Sequence, residues 1–373
     1  MIELSTLRAA GLVVGLITIA FALVRRRSLR NGDVILFLIA GGVLITVSLT
    51  GLVNGVLAYF AFDEGSGQRI LGATVFATAA LYFIALRALL ENGRLSRRVA
   101  GLIEGIAWND FRNAELAERF AGKAAVVIPA YNEAEGIGAV VDRIPETVCG
   151  LETAILIIDD GSRDQTGSAA QAHGASVAHH AINRGQGAAL RTGYRLMSYA
   201  RAAVVVTLDA DGQHLPEEME GLVRPVLEGQ VDVAHGSRIL GHAERGELSR
   251  EIGSVVFNRL ISVLAGQPLT DCSNGYRVIR ADVLPELAFR QEQFHSSEFL
   301  LEAIKGGFRV RELPVTVISR SHGTTKKPAS LRYGLGFANA IVRTWLRAGK
   351  LAPRSVDPPP PVVLAAAESG AED

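Results

Sequence analysis

Three stretches of this chain combine a short apolar run with an acidic loop that contains glycine or precedes a helix. They are VVIPAYNEAE (126–135), IIDDGSRDQT (157–166) and TLDADGQHLP (207–216). Each is followed by a helical pattern, and such an alternation of strands and helices builds a parallel sheet. Because ligands bind at the carboxyl ends of parallel strands, we expect the three polar loops to form one ligand site.

Between residues 123 and 325, apolar runs and helical patterns alternate along the chain. The predicted strands are 124–129, 154–159, 175–179, 203–209 and 231–234, and the predicted helices lie near 136–145, 165–173, 185–200 and 216–228. This order predicts an α/β domain in which a mostly parallel, Rossmann-like sheet is covered by helices on both faces.

Three long apolar stretches precede this domain, at 7–24, 34–62 and 70–90. Each reaches the roughly 18–20 residues that cross a bilayer as a helix, and none carries a charge in its middle, so we expect three transmembrane helices. For one such stretch a buried helix of a soluble domain is the alternative. The second stretch contains Gly41, Gly42, Gly51 and Gly55, which either let helices pack closely or reflect ordinary glycine use in membrane helices.

The charged residues that flank these stretches predict an orientation. The arginines between the first and second stretch are Arg25, Arg26, Arg27 and Arg30, and those near or after the end of the third are Arg87, Arg94, Arg97 and Arg98. Asp63 and Glu64 lie between the second and third stretch. The positive-inside rule then places the N-terminus outside and residues 95–373 in the cytoplasm. We therefore expect a multi-pass protein of the inner or plasma membrane.

Asp209 and Asp211 are two residues apart at the end of a predicted strand, so in extended backbone their carboxylates lie on one side. Hard oxygen ligands at this place fit Mg²⁺ or Mn²⁺ bridging to a diphosphate. A lone D-x-D is often a solvated turn, but the apolar strand before it and two acidic strand ends upstream favour the metal site. In the loop that opens the helix near 185, Gly185 permits close backbone approach and Arg184 can meet an anion.

Composition excludes other classes of function. Lysine plus arginine and aspartate plus glutamate each number 38, so no net basic field attracts nucleic acid. The two cysteines, Cys149 and Cys272, are isolated and have neither metal-binding nor redox spacing. The eight histidines show no ligand spacing, and we interpret the pair His179 and His180 at a strand end as structural.

These motifs resemble those of the family 2 glycosyltransferases of GT-A fold, nearest to the dolichol- and polyprenyl-phosphate mannosyl- or glucosyltransferases. The shared elements are PAYNE, DDGS, N-x-G-x-G-A, D-A-D-G-Q-H and G-S-R, in the family's order over about 123–325. The resemblance implies a hexosyltransferase that uses a nucleotide sugar of the GDP-mannose or UDP-glucose type. The N-terminal stretches resemble, more loosely, a three-helix membrane domain.

The resemblance also implies a role for individual residues. The implied nucleotide contacts include Arg184 and Gly185, which belong to the loop before the helix near 185 and are called the glycine loop below. The full set is Pro129, Ala130, Tyr131, Glu133, Asp159, Asp160, Arg184, Gly185 and Asp209. The implied metal ligands are Asp209, Asp211 and Gln213, with Asp211 also catalytic. The implied phosphate contacts are Arg238, Arg250 and Arg320. Gln186 departs from the lysine of many relatives, and the Q-x-x-R-W element of processive synthases is missing, which favours a single transfer.

The acceptor is predicted from charge. A lipid phosphate is largely ionised at pH 7 and needs cations to position it, without a strong base. Basic candidates beyond residue 236 are Arg238, Arg250, Arg259, Arg277, Arg320, Lys326 and Lys327. They favour a polyprenyl phosphate acceptor on the cytoplasmic leaflet and an inverting, metal-dependent transfer, with Arg238 as a catalytic group.

Two other functions stay open at this point. A glycan or glycolipid hydroxyl as acceptor requires a base, for which Glu298 is the candidate; Glu298 alternatively caps or solvates a helix. A non-catalytic scaffold that binds a nucleotide sugar is the third hypothesis, and the intact set of Asp209, Asp211 and Gln213 disfavours it. The sugar, the lipid length and the presence of a homo-oligomer are left open.

The predicted organisation has five parts: a membrane domain (1–94), an amphipathic connector (95–122), a GT-A domain (123–325), an amphipathic C-terminal helix (326–350) and a disordered tail (351–373). Apolar and basic residues at helical spacing in the connector and the C-terminal helix are typical of interfacial helices. Packing on the globular domain is the alternative for the C-terminal helix. The proline run and the acidic, small-residue ending predict the disordered tail.

Overall fold

A computed structural model describes residues 4–24, 31–48, 68–243, 248–287, 289, 291, 295–319 and 331–348. The chain divides into two compact units, Met1–Val99 and Ala100–Asp373. The predicted division between residues 94 and 95 falls inside one continuous helix, so the expected membrane domain and connector share that helix. The predicted tail, 351–373, lies outside the described residues.

The N-terminal unit contains helices α1 (Leu4–Val24) and α2 (Asn31–Ser48) and the start of α3 (Gln68–Asn113). Glycines bring α1 and α2 into close contact, because a Cβ on Gly41 would lie 2.8 Å from the carbonyl oxygen of Gly15. Close packing is therefore confirmed for Gly41, whereas Gly42 faces open space. Gly51 and Gly55 lie outside the described residues.

No helix in the described part of the chain combines the length and the apolarity that a membrane crossing requires. The expected transmembrane helices at 7–24, 34–62 and 70–90 are thus not supported. The second stretch continues beyond Ser48 into residues that the structure does not describe. The arginines at 25–27 and 30 and the acidic pair at 63–64 also lie outside the described residues.

The C-terminal unit is built on one mixed β-sheet. Its strands are β1 (Ala124–Ala130), β2 (Thr147–Val148), β3 (Leu151–Asp159), β4 (Ser176–His179), β5 (Val204–Thr207), β6 (Val233–Ala243), β7 (Arg277–Arg280) and β8 (Val310–Val317). The order is β2-β3-β1-β5-β7-β6-β8, and β4 also pairs with β3. The β1–β3, β1–β5, β3–β4 and β6–β8 pairs are parallel, whereas β7 is antiparallel to both β5 and β6.

All five predicted strands are present, but the sheet is more mixed than expected. The prediction missed β2, β7 and β8, and it ended β6 nine residues before Ala243. The run RVIR of β7 is four residues long with an arginine at each end, so its apolar signal is too short to stand out. Its insertion between β5 and β6 makes the expectation of a mostly parallel sheet wrong on that side.

Helices cover both faces of the sheet, as expected. They are α4 (Ile137–Asp142), α5 (Thr166–Ala172), α6 (Gln186–Tyr199), α7 (Met219–Leu227), α8 (Leu248–Ala265), α9 (His295–Lys305) and α10 (Leu331–Ala348). Alternate residues of β1 enter two separate apolar cores: Ala125 and Val127 lie in one, and Val126 and Ile128 lie in the other. This alternation follows from the two-residue period of a strand that is buried on both faces.

Two ion-pair clusters fix helices against this unit. The Glu104 carboxylate near the end of α3 binds the guanidinium groups of Arg191 (2.6 Å) and Arg195 (2.9 Å) on α6. Arg347 of α10 binds the buried carboxylates of Glu298 and Glu302 on α9, both within 2.6 Å. The C-terminal helix therefore packs on the globular domain, which was one of its two predicted placements.

Candidate active site

The loops that follow β1 and β3 are hydrogen-bonded to each other. The Asn132 amide donates to Ser162 Oγ (3.0 Å), and the Glu133 amide donates to Thr166 Oγ1 (2.9 Å). Asn132 has a φ of 52°, a left-handed conformation that asparagine tolerates well. The two loops therefore form one surface, and Tyr131 and Glu133 lie on it, half-buried, beside the DDGS segment. Pro129 and Ala130 are buried at the end of β1.

The buried carboxylate of Asp160 fixes the glycine loop through hydrogen bonds to its main chain. This carboxylate is 2% exposed and accepts hydrogen bonds from the main-chain amides of Arg184 (3.0 Å) and Gly185 (2.6 Å). His180 Nδ1 lies 2.7 Å from the same carboxylate, and His180 Nε2 lies 2.9 Å from Thr192 Oγ1 on α6. The structure thus places Asp160, a predicted nucleotide contact, where it shapes the loop. His180 has the structural position that we predicted for it.

Asp159 is also largely buried, at 6% exposure. Burial by itself raises the pKa of Asp159, but hydrogen bonds from His179 and from Ser162 outweigh that effect and hold it below its ordinary value. The hydrogen bond to Asp159 in turn raises the pKa of His179. The second strand end therefore keeps one ionised carboxylate beside a histidine at the edge of the site.

The loop after β5 carries the three predicted metal ligands. Asp209 Oδ1 accepts a hydrogen bond from Gln186 Nε2 at 2.6 Å, so the residue that replaces the lysine of many relatives contacts the D-x-D motif directly. Asp211 Oδ1 accepts a hydrogen bond from the main-chain amide of Gln213 (3.2 Å). The side-chain Nε2 of Gln213 donates to the carbonyl oxygen of Ile318 (3.0 Å). All three predicted ligands lie in one half-exposed loop at the expected edge of the sheet.

This donor set fits a divalent cation that is shared with a phosphate ligand. Two carboxylates and a carboxamide are the hard oxygen donors that Mg²⁺ and Mn²⁺ prefer. Within the described residues, no group of three or more histidine, cysteine, aspartate or glutamate side chains is placed to hold a metal ion. Asp209, Asp211 and Gln213 would supply part of the coordination shell of such a cation, and phosphate oxygens and water would supply the rest.

Gly275, which the sequence did not single out, lies directly against this loop. Thr207 Oγ1 donates to its carbonyl oxygen (2.7 Å). A Cβ added to Gly275 would lie 2.7 Å from Asp209 Oδ1 and 3.0 Å from Oδ2. Any side chain there would displace the carboxylate. The contact joins the loop before β7 to the loop after β5, and no spacing in the sequence indicates it.

We expect Gly275→Ala to reduce activity by about 100-fold, because moving a reacting group by about 1 Å has an effect of that size. Gly221→Ala is the matched control, because nothing lies within 4 Å of a Cβ at Gly221 on α7. Turnover and thermal unfolding of both variants provide the measurement. Full activity in Gly275→Ala would contradict the assigned position of the Asp209 carboxylate.

Arg238 on β6 forms a two-pronged ion pair with a buried aspartate. Its Nε and Nη2 lie 2.7 and 2.8 Å from the two carboxylate oxygens of Asp271, which is 1% exposed. Nη2 also donates to Ser273 Oγ (2.7 Å). Burial raises the pKa of Asp271, but the hydrogen bonds from Arg238 hold it below its ordinary value. Asp271 thus fixes the guanidinium, whose side chain stays one-third exposed.

Of the other predicted phosphate and acceptor residues, Arg259 is exposed, and the rest are buried or not described. The side chain of Arg250 and the whole of Arg320, Lys326 and Lys327 lie outside the described residues. Glu298 is 2% exposed and lies between α9 and α10, where it accepts hydrogen bonds from Arg347 (2.6 Å) and from the Gln291 amide (2.8 Å). Its role as a base stays a prediction, and this environment favours a structural role.

His235, on β6, is a fully buried histidine. Its Nε2 lies 2.7 Å from the carbonyl oxygen of Asp271, so Nε2 carries the proton. Burial, assisted by the charge of Arg277, lowers the pKa of His235 from 6.5 to about 4. Between those values the unfolded chain binds a proton that the folded chain does not, so stability falls as the pH falls from 6.5 to 4.

For this histidine we expect a contribution of about 3 kcal/mol to the acid destabilisation. His235→Gln retains a donor for the carbonyl of Asp271 and removes the titrating ring. Denaturant unfolding of both proteins at pH 7 and at pH 4.5 is the measurement, and the variant is expected to lose less stability. Equal losses in the two proteins would show that His235 is not the source.

The residues of this site lie, for the most part, in a region that matches a known protein family. Residues 125–288 match the model of the glycosyl transferase family 2 domain. An uncharacterized protein of Methanocaldococcus jannaschii is 32% identical over 222 residues, which are 57% of this chain and 90% of that protein. The chain belongs to glycosyl transferase family 2.

Two relatives in glycosyl transferase family 2 have names that state an activity. The polyprenol monophosphomannose synthase of Mycolicibacterium smegmatis is 32% identical over 220 residues, 56% of this chain and 82% of that protein. The undecaprenyl-phosphate mannosyltransferase of Micrococcus luteus is 29% identical over 234 residues, 60% of this chain and 93% of that protein. Homologues of this chain in the family are thus transferases of sugars to polyprenyl phosphates.

Proposed function

We propose that this protein transfers one hexose from a nucleotide sugar to a polyprenyl phosphate, with inversion at the anomeric carbon and with Mg²⁺ or Mn²⁺. The observation that carries the proposal is the loop of Asp209, Asp211 and Gln213 at the edge of the sheet, beside the interlocked loops after β1 and β3. The activities in the names of two relatives support the same acceptor class.

In this proposal the chain binds the two substrates with different groups. The β1 and β3 loops hold the nucleotide, and Asp209 and Asp211 hold the metal, which offsets the charge of the leaving diphosphate when it is bound. An oxygen of the lipid phosphate forms a bond to the anomeric carbon from the opposite side. The bond to the diphosphate breaks, and its electron pair leaves with the diphosphate. No proton has to be removed from an ionised phosphate.

Arg238 supports a phosphate acceptor. The Asp271 carboxylate holds it in a fixed orientation through Nε and Nη2, while one-third of its side chain is exposed. The hydrogen bond to Asp271 is the main cause that raises the pKa of Arg238, and the negative charge of Asp209 adds to it, so this cation lies within electrostatic reach of the D-x-D loop. A fixed cation beside the metal loop suits an anionic nucleophile. A hydroxyl acceptor gains no comparable support, because Glu298 is buried in an ion pair.

An assay of the purified protein tests the proposal. The protein is incubated with polyprenyl phosphate, Mn²⁺ or Mg²⁺ and each nucleotide sugar of a panel, and the lipid products are analysed by mass spectrometry. A polyprenyl-phosphate hexose that requires the metal is the expected product. A parallel reaction with a polyprenyl alcohol in place of the phosphate is the control and should give no product. Transfer to the alcohol or to a glycan alone, or full activity in EDTA, would refute the proposal.

We also propose that the N-terminal helices hold the enzyme at the membrane with residues 95–373 in the cytoplasm. Two features support this: the arginine distribution, and apolar side chains on α1 such as Val13, Ile17 and Val24 that are more than half exposed. Reporter fusions at Asp63 and at Gly122 are expected to report the outside and the cytoplasm, respectively. An outside report at Gly122 would remove the access to cytoplasmic nucleotide sugars and contradict this arrangement.

A further inference from the structure

A buried arginine lies beneath the D-x-D loop. Arg277, the first residue of β7, has no solvent exposure. Its Nη2 donates to the carbonyl oxygen of Asn274 (2.8 Å), and its guanidinium lies 4.7 Å from the centroid of the Phe299 ring. Its Nε and Nη1 have no hydrogen-bond partner among the described residues. A buried guanidinium with so few hydrogen bonds requires a nearby negative charge.

The strand register brings Asp209 close to Arg277. Thr207 of β5 pairs with Arg277 of antiparallel β7. Asp209 lies two residues after Thr207 and Gly275 lies two residues before Arg277, and a Cβ at Gly275 would meet the Asp209 carboxylate. Arg277 and Gly275 are two residues apart, so in extended backbone they share one side. Burial lowers the pKa of Arg277, whereas the negative charge of Asp209 acts in the opposite direction.

Asp209 has different neighbours on its two sides. On the half-exposed side, Oδ1 accepts a hydrogen bond from the neutral side-chain amide of Gln186. On the interior side lies the permanently charged guanidinium of Arg277. A cation at this place reduces the negative charge that the loop presents to a bound metal, because the fields of the two groups partly cancel.

We infer that Arg277 is a positioning residue that acts through Asp209 and weakens the hold of the D-x-D loop on the metal, so that the metal and the nucleoside diphosphate leave after transfer. This inference rests on the proposed function for the identity of the metal ligands. The electrostatic pairing of Arg277 with Asp209 does not depend on it. Arg277 itself is enclosed and touches neither substrate.

The inference predicts the direction in which the Kd of Mn²⁺ changes when Arg277 is replaced. Electron paramagnetic resonance measures this Kd in the presence of UDP or GDP. Arg277→Met keeps the length of the side chain and removes the charge, so it is expected to lower the Kd of Mn²⁺ by roughly three- to tenfold. Arg277→Lys keeps the charge and should restore the Kd of the wild type. A merely structural role would raise the Kd in both variants, and that result would overturn the inference.

Arg280→Met is the matched control. Arg280 is the last residue of the same strand and pairs with Asp282 and with Asp232 at 3.6 Å. Its removal should leave Mn²⁺ affinity unchanged. An effect on Mn²⁺ affinity equal to that of Arg277→Met would show a general response to lost charge and would contradict the specific coupling.

A second measurement keeps the inference testable if Arg277→Met does not fold or if Mn²⁺ does not bind. In the metal-free protein, Asp209→Asn removes the charge that compensates Arg277, whereas Asp211→Asn does not. Thermal unfolding should therefore show a midpoint at least about 3 °C lower for Asp209→Asn than for Asp211→Asn. Equal midpoints would overturn the pairing. Failure of Mn²⁺ to bind the wild type would contradict the metal in the proposed function and leave this comparison valid.

Discussion

Asp211→Asn is expected to reduce hexose transfer by about 1000-fold or more and to leave the fold intact, because a bound metal supplies several kcal/mol of transition-state stabilisation. The asparagine keeps an oxygen that can accept the hydrogen bond from the Gln213 amide, so the loop retains its conformation. What it loses is the negative charge that binds the cation. The initial rate of lipid-linked product formation at saturating Mn²⁺ provides the measurement.

Asp282→Asn serves as the control for a lost carboxylate charge. Asp282 pairs with Arg280 and is largely exposed, away from the D-x-D loop in the chain. Its turnover should equal that of the wild type. If Asp211→Asn also kept most of its activity, or if a chelator had no effect on the wild type, Asp211 would not be the ligand that the proposed function requires.

Arg347→Met is expected to have the largest effect on stability, about 3–5 kcal/mol of unfolding free energy, because removing one partner from a buried ion cluster leaves the other charges uncompensated. The side chains of Glu298 and Glu302 are each 1% exposed, and both contact the Arg347 guanidinium. The helix α10 would lose its polar attachment to α9. Denaturant unfolding of the full chain is the measurement.

Arg343→Met is the matched control for this prediction. Arg343 lies one turn earlier on the same helix and is exposed, so its replacement should change the unfolding free energy by less than about 0.5 kcal/mol. Similar losses in the two variants would indicate a general sensitivity of α10, and the buried cluster would not be its cause.

The same cluster separates the two acceptor hypotheses. Glu298→Gln is expected to lower stability and to leave the turnover of the folded fraction nearly unchanged. If Glu298→Gln instead abolished turnover at unchanged stability, Glu298 would act as a base, and a hydroxyl acceptor would become the better account. Turnover must therefore be normalised to the folded fraction, measured under the assay conditions.

Much of the fold was readable from the sequence because it depends on local pattern. The apolar runs of β1, β3, β4 and β5 and the polar loops after them follow one another at short range, and parallel strands bring those loops to one edge. The loop of Asp209, Asp211 and Gln213 was predicted as a candidate metal site for the same reason, since these three residues are neighbours in the chain. Strand β7 was missed because four residues carry too little periodic signal.

The sequence by itself determined which loops carry the ligand groups and that they meet at one edge of an α/β sheet. Only the tertiary structure decided how those groups are used. It places Asp160 beneath the glycine loop, Asp271 behind Arg238 and Gly275 against Asp209. These partners lie 25, 33 and 66 residues apart in the chain. The physical reason is that such contacts depend on the order of the strands and on burial on both faces of the sheet. The spacing of apolar residues along the chain determines neither.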